Sequence, residues 1–397
     1  MVRKKNPYLK IAEPVDLEKL KLAVKQRKIG KVKRGTVIAV LGAMIVGGTF
    51  LLVKNHSYTS VNKAGAYTNE TEDNNKYTQF ADGIVRYSRD GIVFLDRKNE
   101  EQWIQPCQMK NPIIDVNEEV FAVADSGGNS ILVFTENGLK GEIETTLPIE
   151  KVSVSNQGIV STILKNEGSP MIVSYDAAGN ILVEHQVTVN STGYPLALDM
   201  SRDGMTLAVS YLSMKGDIIK SKVAYYNFGE AGKAKTDNEV SMEEYNGTII
   251  PEVYFMDDST SVAVSDSSFI IYKGKDVPQK KKEVEINQEI KSVFHTDKYI
   301  GFVLLNKDKS GYEARLYDKS GRQVMNKAFT GEYNNVKMKG DEIIMFDGSR
   351  CCIITRNGIQ RFSGDLKTDA LEVIPSWGIN RYLVMNANEL RVIYLAK

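Results

Sequence analysis

A short unit keeps returning in this chain: an apolar strand, a few polar residues with a Gly, and a second strand. It reads "ILVFTENGLKG" from Ile131, "MIVSYDAAGNIL" from Met171, "ARLYDKSGRQV" from Ala314 and "CIITRNGIQRF" from Cys352. The Gly supplies the positive φ that a tight hairpin needs. Ahead of these hairpins lies another strand–turn–strand pair, and four such pairs open on proline: "PIIDV" at Pro112, "PIEKVSV" at Pro148, "PLALDMS" at Pro195 and "PEVYFMD" at Pro251. Proline at the first position of a strand costs no ladder hydrogen bond, so it can mark a boundary. "KSVFHTDKYIGFVLL", "NNVKMKGDEIIMF" and "LEVIPSWGINRYLVM" follow the same plan without it. Each unit therefore has four strands.

The units start near residues 77, 112, 148, 195, 251, 289, 333 and 371. The spacing averages about forty residues, the period of a propeller blade. Runs such as "GIVFLD", "MTLAVSYL" and "DEIIMFD" are short, β-branched or aromatic, and bounded by Gly, Asp and Asn,. No long amphipathic helix is evident after residue 77. An all-β domain of this length must curl or close, because a large open sheet leaves edges that aggregate. The expected fold is an all-β propeller of four-stranded blades over 77–397. Eight blades are favoured, and seven remain open if the two terminal units share one blade. The last unit stops after three strands at "ELRVIYLAK". Its fourth strand is expected from the start of the domain, around Lys76–Asp82, which would strap the ring shut. Extra length near "KGDIIKSK" and "GEAGKAKTDNEVSMEEYNG" reads as loop insertion.

Upstream lies "GTVIAVLGAMIVGGTFLLV", residues 35–53, nineteen residues without a charge. At about 1.5 Å per residue it reaches roughly 28 Å, close to the ~30 Å of a hydrocarbon core. The expectation is one transmembrane helix. Residues 1–34 hold twelve Lys/Arg against three Asp/Glu, although the whole chain carries a net charge of only +1. The positive-inside rule then places the arm in the cytoplasm and everything after residue 53 outside. "AGA" at Ala64–Ala66 has the form of a signal-peptide cleavage site, but it lies far past a long apolar run, so an uncleaved anchor is favoured,. Ala39, Ala43 and Gly47 form a small-xxx-small line that would let two anchors pack closely, or simply reflect the small residues common in such helices. In the arm, Leu17, Leu20, Ala23 and Val24 fall at helical spacing among lysines. That suits either an amphipathic helix on anionic lipid or a solvated tail that only sets orientation. Residues 54–76, rich in Asn, Thr and Ser, read as a flexible stalk,. The cationic tail precedes a mildly acidic body, which argues against nucleic-acid binding.

A search for chemistry finds little. Cys107, Cys351 and Cys352 offer at most one long-range bridge and otherwise read as small buried strand residues,. His56 falls in the stalk, His185 in an outer strand and His295 in a first turn, so no shared metal site is expected. Asn306, Asp308, Ser310 and Gly311 imitate a calcium loop, yet its twelfth position is Tyr317 instead of a bidentate Glu,. Asp257 and Asp258 read as solvated turn acids. The run "QKKKEVEI", Gln279–Ile286, reads as a charged edge strand or a surface for anionic wall polymers,. Trp377 suits glycan or protein contact, or packing between blades. No phosphate loop, GxSxG elbow or HExxH occurs. No catalytic, cofactor-binding or metal residue is assigned, and no cofactor is expected.

On its repeat plan, the region 77–397 resembles WD40-like and quinoprotein-like propellers. It lacks the recurring Gly-His and Trp-Asp pairs of the first. With Trp103 and Trp377 as its only tryptophans, it also lacks the repeated docking motif of the second. The whole layout of basic arm, single anchor and propeller resembles an uncharacterised family of bacterial single-pass membrane proteins, a domain of unknown function. That resemblance implies a location and a fold but no activity. The expected function is a membrane-anchored, extracytoplasmic interaction scaffold or sensor, not an enzyme, with an envelope protein as partner. The alternatives are a module binding wall glycan or another envelope ligand, and a lyase or hydrolase using channel carboxylates.

Overall fold

A computed structural model describes residues 17–68, 75–306, 311–376, 378 and 380–397. The chain divides after His56 into two compact units.

The first unit contains one helix, α1, Leu17–Lys54. Its backbone runs without a break from the basic arm through the apolar run, so the boundary expected after residue 34 is a change of side chains only. The side chains described in it are those of Glu18, Lys21, Leu22, Lys25, Lys33 and Thr36–Thr49, all exposed. Ala39, Ala43 and Gly47 are among them. Those of Leu17, Leu20, Ala23 and Val24 lie outside the described residues, as do residues 1–16. Among the described residues, no helix is long and apolar enough to cross a membrane.

The second unit is an eight-bladed propeller: eight four-stranded antiparallel sheets in succession. Blades 1 to 7 span residues 76–106, 112–144, 149–186, 194–246, 252–285, 290–329 and 335–365. Blade 8 combines residues 372–396 with the strand Ser60–Thr68. The seven-blade alternative is excluded, because the two terminal units form separate sheets. Each expected start falls within two residues of the observed one.

The hydrophobic pattern explains the closure. The second and third strands of a blade are covered on both faces, so a strand such as Val120–Asp125 is buried throughout and reads as an unbroken apolar run,. Alternate residues point to opposite neighbours. Ala122 packs with blade 3, and Val123 packs with blade 1. Every seam around the ring holds its own apolar cluster. The seam that closes the circle sets Ile84 and Leu95 of blade 1 against Ile374, Leu383 and Leu390 of blade 8. The hairpins that first revealed the repeat join third strands to outer strands. Gly179 and Gly321 take φ of 85° and 70° there. Asp176 and Asp318 accept the backbone N–H groups two and four residues on.

The segment expected to be a stalk is largely propeller. Ser60–Thr68 is the outermost strand of blade 8, paired antiparallel with Glu389–Ala396. The N-terminal strap is thus real, but residues 60–68 supply it. Lys76–Phe80, expected to close the ring, is the innermost strand of blade 1. An outermost strand needs backbone partners and few buried side chains, and only Val61 is buried in this one. Its sequence therefore lacks the alternation that marks the other strands. The strap is fixed at its entry. Tyr58 N–H donates to the Arg361 carbonyl at 2.7 Å. Asn380 bonds both the Tyr58 hydroxyl and the Arg361 guanidinium, which also pairs with buried Glu342. Tyr382 donates its hydroxyl to Glu342 at 2.8 Å.

"KGDIIKSK" is not a loop insertion. It lengthens the central hairpin of blade 4, Thr206–Lys215 and Ile218–Asn227, past the ends of its neighbours. The "GEAGKAKTDN" stretch carries a short helix, Glu230–Lys233, and a 3-10 turn, Thr236–Asn238. All three cysteines are free: Cys351 and Cys352 are buried, and Cys107 is half-buried.

Candidate functional site

The innermost strands line a central channel. First-to-second turns open at one end, the mouth face, and second-to-third turns at the other, the far face. The mouth holds a cavity of about 660 Å³, walled by residues from blades 1 to 7.

Two carboxyl groups stitch this wall. Asp115, near the end of the inner strand of blade 2, accepts the Val154 N–H of blade 3 at 2.7 Å. Asp199 occupies the matching place in blade 4 and accepts the Phe255 N–H of blade 5 at 2.5 Å. Between them stands Ser153 of blade 3. Its hydroxyl donates to Asp199 at 2.9 Å and accepts the Met200 N–H at 3.1 Å. Enclosure by the channel wall raises the Asp115 carboxyl to about 6, against the pull of the Val154 and Val116 N–H groups,. Enclosure and the charge of Asp115 raise Asp199 to about 7. The pair therefore binds a proton more tightly than free carboxyls do.

The adjoining stretch of wall is aromatic. His295 of blade 6 stacks on Tyr254 of blade 5 with ring centroids 4.0 Å apart. Packing against its neighbours lowers the His295 pKa below its usual value, although the residue keeps an exposed edge at the mouth. Arg202 braces the rim across four blades. Its guanidinium pairs with Glu118 of blade 2 at 2.7 Å and donates to the Met256 carbonyl of blade 5 at 3.2 Å. Its own carbonyl accepts the Asn156 N–H of blade 3 at 2.9 Å. Glu118, Asp297 and Lys339 leave exposed charges around the opening.

The structure disperses the residues the sequence singled out. His56 ends the first unit. His185 lies on the outer strand of blade 3, against the Tyr226 ring at 5.5 Å. His295 alone reaches the mouth. Among the described residues, no group of three or more His, Cys, Asp or Glu is placed to hold a metal. Asp257 and Asp258 hold turns in place. Burial pushes the Asp257 carboxyl upward, but its ion pair with Lys319 and the Ser259 hydrogen bonds outweigh that and keep its pKa below the usual value. Asp258 accepts the Asp203 N–H at 3.0 Å. Tyr317 is buried in the seam of blades 5 and 6, while residues 307–310 of the supposed calcium loop lie outside the described residues. So does Trp377. Trp103 stacks on Phe134 at 5.1 Å and donates its indole N–H to the Glu136 backbone carbonyl at 2.9 Å, which fills the seam of blades 1 and 2. The lysine run forms the outer strand of blade 5, Gln279–Glu285, an exposed charged edge.

Sequence reasoning passed over Asp115, Ser153, Asp199 and Tyr254. The signal was there: "PIIDV" and "PLALDM" each set one acid near the end of an otherwise apolar inner strand.

Residues 54–395 match a family described as a family of unknown function (DUF5711). No curated protein matches the chain. Among solved structures, BamB from Moraxella catarrhalis is similar at 12% identity and a TM-score of 0.52, covering 84% of this chain and 100% of its own. Sqt1 of Saccharomyces cerevisiae is similar at 10% identity and a TM-score of 0.56, covering 86% and 100%. At these identities the likeness is one of fold.

Proposed function

The chain belongs to the DUF5711 family of unknown function, and from that premise we propose that it is a membrane-anchored, extracytoplasmic scaffold that docks a protein partner at its channel mouth. The observation that carries this reading is the way the mouth carboxyls are used. Asp115 and Asp199 spend acceptor positions on the backbone of the next blade, so they fix the shape of a surface. A general acid or nucleophile needs a free, aimed oxygen and a base or acid beside it. Asp115 and Asp199 are joined instead through Ser153 to structural N–H groups. The mouth is also broad and rimmed by charges of both signs, which suits the polar rim of a protein interface.

The envelope location rests on the sequence: nineteen uncharged residues preceded by a strongly basic arm,. The fold adds a rigid body closed by its own N-terminal strand, which follows α1 after a few residues.

The test is site-specific photo-crosslinking in living cells. A crosslinker at Lys339 or Asp297, on the mouth rim, should give one adduct of defined mass. The same group at Met214, on the far face, should not. Adducts from Met214 and none from the rim would refute docking at the mouth.

A further inference from the structure

We infer that a crevice on the far face, between blades 6 and 7, is a carbohydrate-binding site that takes one sugar ring of a glycan. This does not rest on protein docking at the mouth, since the crevice opens at the other end of the propeller and shares no residue with it.

Most seams are filled by apolar side chains, as Trp103 fills that of blades 1 and 2. The seam of blades 6 and 7 leaves an opening of about 130 Å³. One wall is a run of three rings. Tyr312 stacks on Phe329 with centroids 5.9 Å apart and planes within 23°. Phe329 meets Tyr333 at 6.1 Å. Gly331 makes room for the last ring. Its φ is 100°, and a Cβ there would stand 2.9 Å from the Tyr333 hydroxyl. The rim is polar, with Ser292, Glu332 and Asn334 converging on the opening. Asn334 donates its amide N–H to Asp347 at 3.0 Å, which fixes the side chain and leaves its carbonyl oxygen as an acceptor.

This combination selects a ligand class. A pyranose ring has an apolar C–H face and an edge of hydroxyls. The first fits the half-buried Tyr312 and Tyr333 rings that line the opening,. The second fits a ring of acceptors and donors. The size agrees: drug-sized ligands fill ~300–1,000 Å³, and this crevice holds far less. One ring enters, and the rest of a polymer must run over the face outside.

The experiment uses the full-length chain in detergent micelles, with the tetramer of N-acetylglucosamine and with maltotetraose as probes. Saturation-transfer NMR should show contact concentrated on one ring of at least one probe. Tyr333→Ala should weaken that binding about tenfold, or ~1.4 kcal/mol. Because Tyr333→Ala can loosen the seam, Glu332→Ala is the second variant. Glu332 is exposed, so this change should also weaken binding while the melting temperature stays unchanged. Lys339→Glu at the mouth should leave it unaltered. Absence of transfer from both probes would overturn the proposal. So would binding insensitive to Tyr333→Ala and Glu332→Ala. So would a tryptophan-containing peptide that occupies the crevice more tightly than either sugar.

Discussion

Ser153 donates its hydroxyl to Asp199 at 2.9 Å across the seam of blades 3 and 4. With Asp115 on its other side, it makes one hydrogen-bonded line from blade 2 to blade 5. Both carboxyls have folded pKa values raised above the ordinary 3.8, to about 6 and about 7. A raised folded pKa means that the folded state holds the proton more tightly than the unfolded one. The stability this contributes is present below the unfolded value and is lost as pH rises through about 6 to 7. His295 acts in the opposite sense. Its pKa is lowered, so its contribution is present above 6.5 and is lost as pH falls, and it is small because the residue is exposed,. Asp199→Asn should therefore flatten the decline in melting temperature between pH 5 and pH 8. It should also raise the value at pH 8 by roughly 2 °C, the response of a large domain to about 1 kcal/mol. A slope unchanged by the substitution would remove Asp199 as its source.

Arg202 should be worth more to the rim than its exposed partner suggests. The ion pair with Glu118 faces solvent and contributes at most about 1 kcal/mol,. The bond to the Met256 carbonyl adds about 1 kcal/mol,. Arg202→Ala should lower the unfolding free energy by about 1–2 kcal/mol in urea titrations, and Glu118→Gln by less than about 1 kcal/mol. Equal effects would mean that the ion pair carries the brace.

The closing strand gives a test by truncation. Removing residues 1–56 should leave the propeller's melting transition cooperative. Removing 1–68 strips the outer strand of blade 8 and the Tyr58–Asn380 contact, and exposes the edge of Glu389–Ala396. That protein should melt at lower temperature and aggregate through the bare edge. Matching melting curves for the two truncations would return residues 57–68 to a stalk.

Two glycines separate close approach from open space. A Cβ on Gly301 would run into the Phe294 ring, whereas one on Gly65 meets nothing within 4 Å. Gly301→Ala should cost about 1–3 kcal/mol, the usual range for overpacking, and Gly65→Ala less than about 0.5 kcal/mol. Thermal unfolding of the two variants reads the difference directly.

The blades were legible because several inner strands announce themselves. Pro112 opens its strand, and Pro148 and Pro251 stand one residue ahead of theirs. The outer hairpins carry their Gly. The closing strand was not legible, because a strand held by its backbone leaves almost no trace in side-chain pattern, and Val61 alone is buried there. The mouth was hidden for a different reason. Asp115 and Asp199 lie in separate blades and become neighbours only when the ring closes, so no local spacing joins them. The crevice at Tyr312, Phe329 and Tyr333 spans the end of one repeat and the start of the next, where a repeat-by-repeat reading draws its boundary.

The central claim is a mouth occupied by a partner outside the membrane, and cysteine labelling tests it most directly. Native Cys351 and Cys352 are buried, so with Cys107→Ser in the background a single new cysteine can be followed. A membrane-impermeant maleimide is applied to intact, wall-stripped cells and, separately, to purified protein. The account predicts that Met214→Cys labels equally in both, and that Asp297→Cys labels in the purified protein but is protected on cells. Met214→Cys that labels only after the membrane is broken would contradict the outside location. Equal labelling of Asp297→Cys in both preparations would contradict an occupied mouth.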